Sequence, residues 1–181
     1  MRSAPGAGST FTVELPLERA TDAERSAANR APAPTPEAVV EKLRILAAED
    51  NIVNQAVLKN FLHTAGHDVE FVENGLLAVE ACKTQEFDIV LMDISMPVMD
   101  GVEALREIRF LERERGAGSG VPMIAVSAHA MSEQIDEYLQ AGFDGYITKP
   151  VKPAELHLEI ARVIESYRDA ASPAVAAPGA A

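Results

Sequence analysis

One cysteine, Cys82, in 181 residues rules out an internal disulfide and any zinc site built on a cysteine cluster. Cys82 falls in an alanine-rich apolar helical pattern, where a buried and inert thiol is expected. No apolar run approaches the roughly 18–20 residues that a membrane-spanning helix needs. Met1-Arg2 leads into Gly, Ala, Ser and Pro rather than an apolar signal core, so a cytoplasmic site without membrane contact is expected. Positive charge is short: 16 Lys and Arg stand against 28 Asp and Glu, a formal charge of −12. The span from Lys42 to Arg168 alone holds 21 acids against 12 bases, so the excess acid lies in the folding part and argues against a nucleic-acid partner. No internal repeat and no P-loop pattern occurs, and Gly6-Ala7-Gly8 leads into a strand pattern rather than a helix, so it is no dinucleotide fingerprint. The four histidines, His63, His67, His129 and His157, form no metal-ligand pattern and read as ordinary surface or helix residues.

What is present is one domain's worth of ordered pattern with irregular flanks. The hydrophobic content of 48% is ordinary for a globular chain of this length. Residues 9–17, STFTVELPL, alternate and are rich in β-branched and aromatic types, which predicts a strand. Residues 18–36 are Ala, Arg, Glu and Pro without periodicity, the composition of a solvated linker, and the end of the chain is Ala- and Pro-rich. Between them, short apolar runs alternate with helical patterns. Strands are predicted at Leu43–Ala48, Val69–Val72, Asp88–Met92, Met123–Val126 and Tyr146–Thr148. Helices are predicted over Val53–Leu62, Leu76–Thr84, Val102–Leu111 and Ile135–Ala141, with a last one opening at Pro153. The Gly-rich stretch Arg115–Gly120 reads as a loose connection. Five strands each followed by a helix imply an α/β fold, a parallel sheet covered on both faces in three layers. Its ligand site belongs at the carboxyl ends of the strands, where the strand order reverses.

Those ends are polar. The first strand pattern runs into Glu49-Asp50, the third into Asp93, the fourth into Ser127 and the fifth into Lys149. In a 2-1-3-4-5 strand order the first and third strands are neighbours, so three carboxylates converge, which is costly unless a cation joins them. An oxygen-only donor set suits a hard ion such as Mg²⁺, and the lysine adds a fixed positive charge.

The segments ILAAEDNIVNQ, DIVLMDISMPVMDG, IAVSAHAM and GYITKPV resemble the four signature segments of response-regulator receiver domains, over about Leu43 to Ile164. The resemblance implies a flavodoxin-like, doubly wound (βα)5 receiver domain at 42–167, with Asp93 as phosphoacceptor. It further implies Mg²⁺ held by Asp50, Asp93 and the backbone carbonyl of Ser95, with Glu49 acting through water; many receivers have Asp at the position of Glu49. Lys149 and Ser127 would contact the phosphoryl oxygens, and Ser127 and Tyr146 would form the switch that alters the surface of the fourth helix, fifth strand and fifth helix. Lys149-Pro150 resembles the family's cis bond, and Ser95 and His129 would flank the path of a hydrolysing water. The opening PGAGSTFTVELPL resembles the end of a histidine-kinase ATP-binding domain, which makes 1–17 a remnant of that domain, 18–41 a linker and 168–181 a disordered tail. The implied parent is a hybrid sensor histidine kinase, the donor its phosphohistidine domain and the acceptor a histidine phosphotransfer protein. As a stand-alone stretch the chain is expected not to be an enzyme beyond its own phosphorylation and dephosphorylation. Two other classes compete: a receiver-like scaffold that is never phosphorylated, and a Mg²⁺-dependent aspartyl phosphatase of the haloacid dehalogenase type. The latter needs a second Asp two residues after the nucleophile, where this chain has Ser95.

Overall fold

Uninterrupted aliphatic runs make strands that can be buried on both faces, and two such strands lie within the five-stranded sheet of the second of two units. The structure, a computed structural model, describes residues 2–4, 8–10, 41–116, 120–128 and 132–171, divided between the units Met1–Val39 and Val40–Ala181. In the first unit Arg2–Ala4 pairs antiparallel with Gly8–Thr10. The strand expected from residue 9 is therefore present in its first residues, with a partner strand that the sequence did not announce. Residues 11–17 and the expected linker up to residue 40 lie outside the described residues.

In the second unit the strands are β1 Arg44–Ala48, β2 Asp68–Val72, β3 Ile89–Asp93, β4 Met123–Ser127 and β5 Gly145–Thr148. The helices are α1 Ile52–Thr64, α2 Gly75–Thr84, α3 Gly101–Glu114, α4 Ser132–Ala141 and α5 Pro153–Ala171. All neighbouring strands are parallel, in the order β2-β1-β3-β4-β5, as the alternating pattern requires. Every residue of β3 and β4 is buried. Side chains along each strand alternate between two cores. Ile45, Ala47, Ile89, Leu91, Ile124 and Val126 pack with Leu58 and Leu62 of α1 and Leu156, Ile160 and Val163 of α5. Leu46, Val90, Met92, Met123 and Ala125 pack with α2 and α3 on the other face.

Helix starts are set by side-chain caps placed at the strand ends. Asn51 Oδ1 accepts the amides of Val53 and Asn54, Asn74 Oδ1 that of Leu77, and Asp100 Oδ1 those of Val102 and Glu103. Each such cap contributes about 1 kcal/mol. Gly101 after the last cap is required by space: a Cβ there would collide with the carbonyl oxygen of Asp93. The close approach brings the start of α3 against the end of β3.

Two features depart from the sequence reading. Helix α5 continues through Arg168 to Ala171, into the stretch expected to be a disordered tail. Tyr167, whose hydroxyl donates to Asp144 Oδ1 at 2.9 Å, and an ion pair of Arg168 with Glu41 anchor that last turn. Strand β3 ends at Asp93, as the sequence placed it, with Asp93 opposite Val126 of β4. His67 is not a surface residue: it is buried, and its Nδ1 accepts the amide of Leu43 at 3.3 Å. Cys82, expected to be buried, is only half-buried, and this burial still pushes its thiol up to about 12.

Burial, and then the charge of nearby His157, hold the His67 pKa below its ordinary 6.5. Protonation would also remove the acceptor for Leu43. The fold thus has its full stability above the ordinary pKa and loses stability as pH falls below it, where the unfolded chain takes up a proton that the folded state resists. Urea denaturation at roughly pH 7.5 and 5.5 is expected to show this loss in the wild type and a smaller loss in His67→Gln.

Candidate functional site

Glu49 and Asp50 follow β1 directly, and Asp93 closes the neighbouring strand β3. The parallel pairing of these strands brings one oxygen from each of the three carboxylates within 4.8 Å of the others. The amide of Glu49 donates to Val72 O at 3.0 Å, prolonging the β1–β2 ladder and fixing where the pair of acids stands. Across the sheet, the amide of Lys149 donates to Ser127 O at 2.8 Å, which carries the β4–β5 pairing past the end of β5. The Lys149-Pro150 bond is cis, as expected.

Lys149 bridges the acids. Its Nζ donates to Asp93 Oδ2 at 2.6 Å and lies 2.7 Å from Glu49 Oε2. Asp93 Oδ1 accepts the Ser95 amide at 3.1 Å. Glu49 is 1% exposed and Asp93 3%, while Asp50 faces solvent. Burial pushes the Asp93 carboxyl above the usual aspartate range, and the bonds from Lys149 and the Ser95 amide offset this only in part. For Lys149, desolvation pulls downward, but the hydrogen bonds to Asp93 and Glu49 outweigh it and hold the ammonium above its ordinary value. Three carboxylates with one ammonium leave the cleft short of positive charge. Glu49 Oε2, although beside Lys149, is buried without a well-directed hydrogen bond. Three crowded carboxylates sharing one ammonium, with oxygen as the donor atom of each, fit a hard divalent cation.

Ser127, 5% exposed, stands at the end of β4, with Oγ 3.3 Å from the hydroxyl of Tyr138 on α4. Tyr146 of β5 is on the outer side. It is 39% exposed and lines a groove of about 340 Å³ with Ile135, Ile147, Thr148, Glu155, Leu158 and Glu159. His129 lies outside the described residues. The cleft thus gathers Glu49, Asp50, Asp93, Ser95 and Lys149, with Ser127 beside Lys149 on the neighbouring strand.

Sequence reasoning passed over three residues. Asn54 Nδ2 donates to Glu49 Oε1 at 2.8 Å and Gln55 Nε2 to Glu49 O at 2.6 Å, so the first turn of α1 holds the longer acid in place. Their signal is the spacing, five and six residues after Glu49, which one capped helical turn folds back over the strand end. Tyr138 had no comparable signal, because its contact with Ser127 depends on how α4 lies on the sheet.

A buried carboxylate clamped by lysine and flanked by two further acids, at the carboxyl ends of a parallel sheet, defines the class as α/β proteins with an acidic cleft at the switch point of a doubly wound sheet. Residues 45–161 match the response regulator receiver domain family, and the chain belongs to it. It is 42% identical over 113 residues to the sensor protein GacS of Pseudomonas syringae, covering 62% of this chain and 12% of that protein. Over 154 residues it is 37% identical to the autoinducer 2 sensor kinase/phosphatase LuxQ of Vibrio vulnificus, covering 84% of this chain and 17% of LuxQ. A hybrid signal transduction histidine kinase of Dictyostelium discoideum is 36% identical over 138 residues, 71% of this chain and 8% of the kinase. The chain therefore spans less than a fifth of the length of these relatives. Among solved structures, the receiver domain of sensor histidine kinase PA1611 from Pseudomonas aeruginosa, with magnesium in its active-site cleft, superposes with a TM-score of 0.61 and 41% identity, covering 68% of this chain and 98% of that one. A Saccharomyces cerevisiae complex of the phosphotransfer protein Ypd1 with the receiver domain of Ssk1 superposes with a TM-score of 0.61 and 31% identity, covering 64% of this chain and 84% of that one.

Like charges crowded at the strand ends oppose folding as long as no cation joins them. Asp50→Asn removes the exposed member without touching the Lys149 bridge. In buffer freed of divalent ions by chelation, its Tm is expected to exceed that of the wild type, as scanning calorimetry would show.

Proposed function

We propose that this domain receives a phosphoryl group from a phosphohistidine onto Asp93, within a phosphorelay of the hybrid-kinase type. The observation that carries the reading is the clamp of Lys149 on a buried Asp93 beside two further acids. In the transfer an Asp93 carboxylate oxygen forms the new O–P bond while the N–P bond to imidazole breaks, its electron pair returning to the ring nitrogen, which solvent protonates. Such transfer needs positioning and charge neutralisation more than acid or base chemistry. Asp50, Asp93 and the Ser95 carbonyl would hold Mg²⁺ directly and Glu49 through water, with Asn54 keeping Glu49 turned toward the cleft. A magnesium ion bound there supplies charge neutralisation for the phosphoryl oxygens. Lys149 releases part of its contact with Asp93 to meet one phosphoryl oxygen, and the Ser127 hydroxyl donates to another. Tyr146 then repacks in the groove between α4 and α5, the surface through which the state is read.

Intact-mass measurement after incubation with acetyl phosphate tests the chemistry. A single Mg²⁺-dependent phosphoryl adduct, absent in Asp93→Asn, is expected. No adduct on the folded wild type would overturn the reading in favour of a scaffold without phosphorylation.

A phosphohistidine arrives on a folded carrier, so the carrier must cover the mouth of the cleft. That rim is apolar. Ile52 and Val53 open α1 just after Asp50, and Val98 lies in the loop after Asp93; they are 73%, 65% and 77% exposed. Val98 also holds a φ of 71°, a conformation that β-branched residues rarely adopt and that marks functional loops. The segment 1–17 as the end of a kinase ATP-binding domain, and a histidine phosphotransfer protein as acceptor, complete the proposal, supported by the sensor-kinase relatives and by the Ypd1 complex. Val53→Asp and Val98→Asp are expected to slow transfer from a phosphohistidine protein by roughly tenfold or more, the effect of losing one well-packed apolar anchor. Their rate with acetyl phosphate should equal that of the wild type; equal slowing with both donors would place the defect in the cleft instead.

A further inference from the structure

Helix α4 is the helix least held by the core. None of its residues 134–141 is buried, whereas α1, α2, α3 and α5 each bury at least two. The amide oxygen of Gln134 in its first half is buried without a hydrogen-bond partner, which opposes rather than favours its docking. Ala141 and Tyr138 pack half-buried against the core, and Tyr138 adds a polar link. Its ring stands edge-on to the buried Phe143, with centroids 6.5 Å apart and planes at 81°. Its hydroxyl lies 3.3 Å from Ser127 Oγ, at the end of β4 and next to the strand end that positions Lys149.

Resting on the receiver reading, we infer that Tyr138 is the positioning residue that couples Ser127 to α4: the two hydroxyls are bonded before phosphorylation and part after it. Either hydroxyl of the pair could be the donor, and in both cases a Ser127 that turns its one proton to a phosphoryl oxygen must carry its Oγ toward Asp93. A phosphoryl oxygen on Asp93 is a charged acceptor, and bonds to charged acceptors are roughly twice as strong as those between neutral groups. The Ser127–Tyr138 contact is neutral and, at 3.3 Å, long for a hydroxyl pair. The phosphoryl group therefore wins the serine, drawing Oγ toward β3, and a contact already near the limit of a hydrogen bond does not survive the movement. With none of residues 134–141 buried to hold it, α4 loosens. Tyr146 answers from the outer groove, but the direct link between the site and α4 is Tyr138. The role is one of position, since Tyr138 touches no reacting atom.

Hydrogen exchange of α4 amides, read together with intact mass after acetyl phosphate and Mg²⁺, tests this in wild type, Tyr138→Phe, Ser127→Ala and the double variant. Tyr138→Phe keeps the ring against Phe143 and removes only the hydroxyl. Before phosphorylation its α4 amides are expected to exchange about three- to fivefold faster than those of the wild type, the factor that one modest neutral hydrogen bond supplies. Ser127→Ala should show the same increase and the double variant no more, while α1 exchanges alike in all four. Phosphorylated wild type should reach the rate of unphosphorylated Tyr138→Phe, and phosphorylation of Tyr138→Phe should add little. An α4 rate in Tyr138→Phe equal to wild type, or additive effects of the two single variants, would overturn the coupling while the mass adduct left the receiver reading intact. A wild type that takes no adduct overturns the receiver reading and the release step with it, and mass alone distinguishes that outcome.

Discussion

Lys149 between Asp93 and Glu49 is the contact on which the cleft depends. Its ammonium lies 2.6 Å from one buried carboxylate and 2.7 Å from the other, with Asp50 at the mouth. Removing one partner of a buried ion pair costs about 3–5 kcal/mol because it strands the other charge, so the lysine is needed for the site to exist at all. It is not sufficient to balance it. The remaining negative charge favours whatever brings positive charge in, and it keeps Asp93 both desolvated and clamped, a carboxylate held in one place and short of solvent.

The scaffold around this contact is built to keep the reacting side still. β3 and β4 are buried throughout, Asn51 and Asp100 cap the two helices that start at the cleft, and Gly101 lets α3 close against the Asp93 carbonyl. Asn54 and Gln55 fasten Glu49 from α1. At the opposite end of the sheet, Asp144 gathers Arg109 of α3, the amide of Met123 in β4 and Tyr167 of α5, which locks three elements together. Among these well-held parts α4 is the exception, since none of its described side chains is buried. The proposed response to a charge on Asp93 therefore falls on the helix that buries none of its residues 134–141. Its own Tyr138 and the neighbouring Tyr146 and Leu158 are the side chains whose surroundings would change with it.

The sequence by itself determined the strand order's class, the five βα units and the residues at the strand ends, because those depend on period and on local chemistry. Runs such as IVLMD and MIAVS can be nothing but doubly buried strands in this alternation, and Glu49, Asp50, Asp93, Ser127 and Lys149 fall at the ends of such runs. The caps Asn51, Asn74 and Asp100 were equally legible in principle, each being a short polar residue one place before a helical pattern. Local signals failed where a residue's role is set by something distant in the chain. His67 is buried because it closes onto Leu43, 24 residues earlier, and α5 outlasts its expected end because Tyr167 and Arg168 reach Asp144 and Glu41. Only the tertiary structure decided that Lys149 bridges two acids rather than one, that Glu49 is buried, and that Tyr138 rather than an exposed Tyr146 lies against Ser127. The physical reason is the same in each case: distances between side chains on different elements follow from packing angles and depth, and a linear pattern encodes which face a residue takes but not what it meets there.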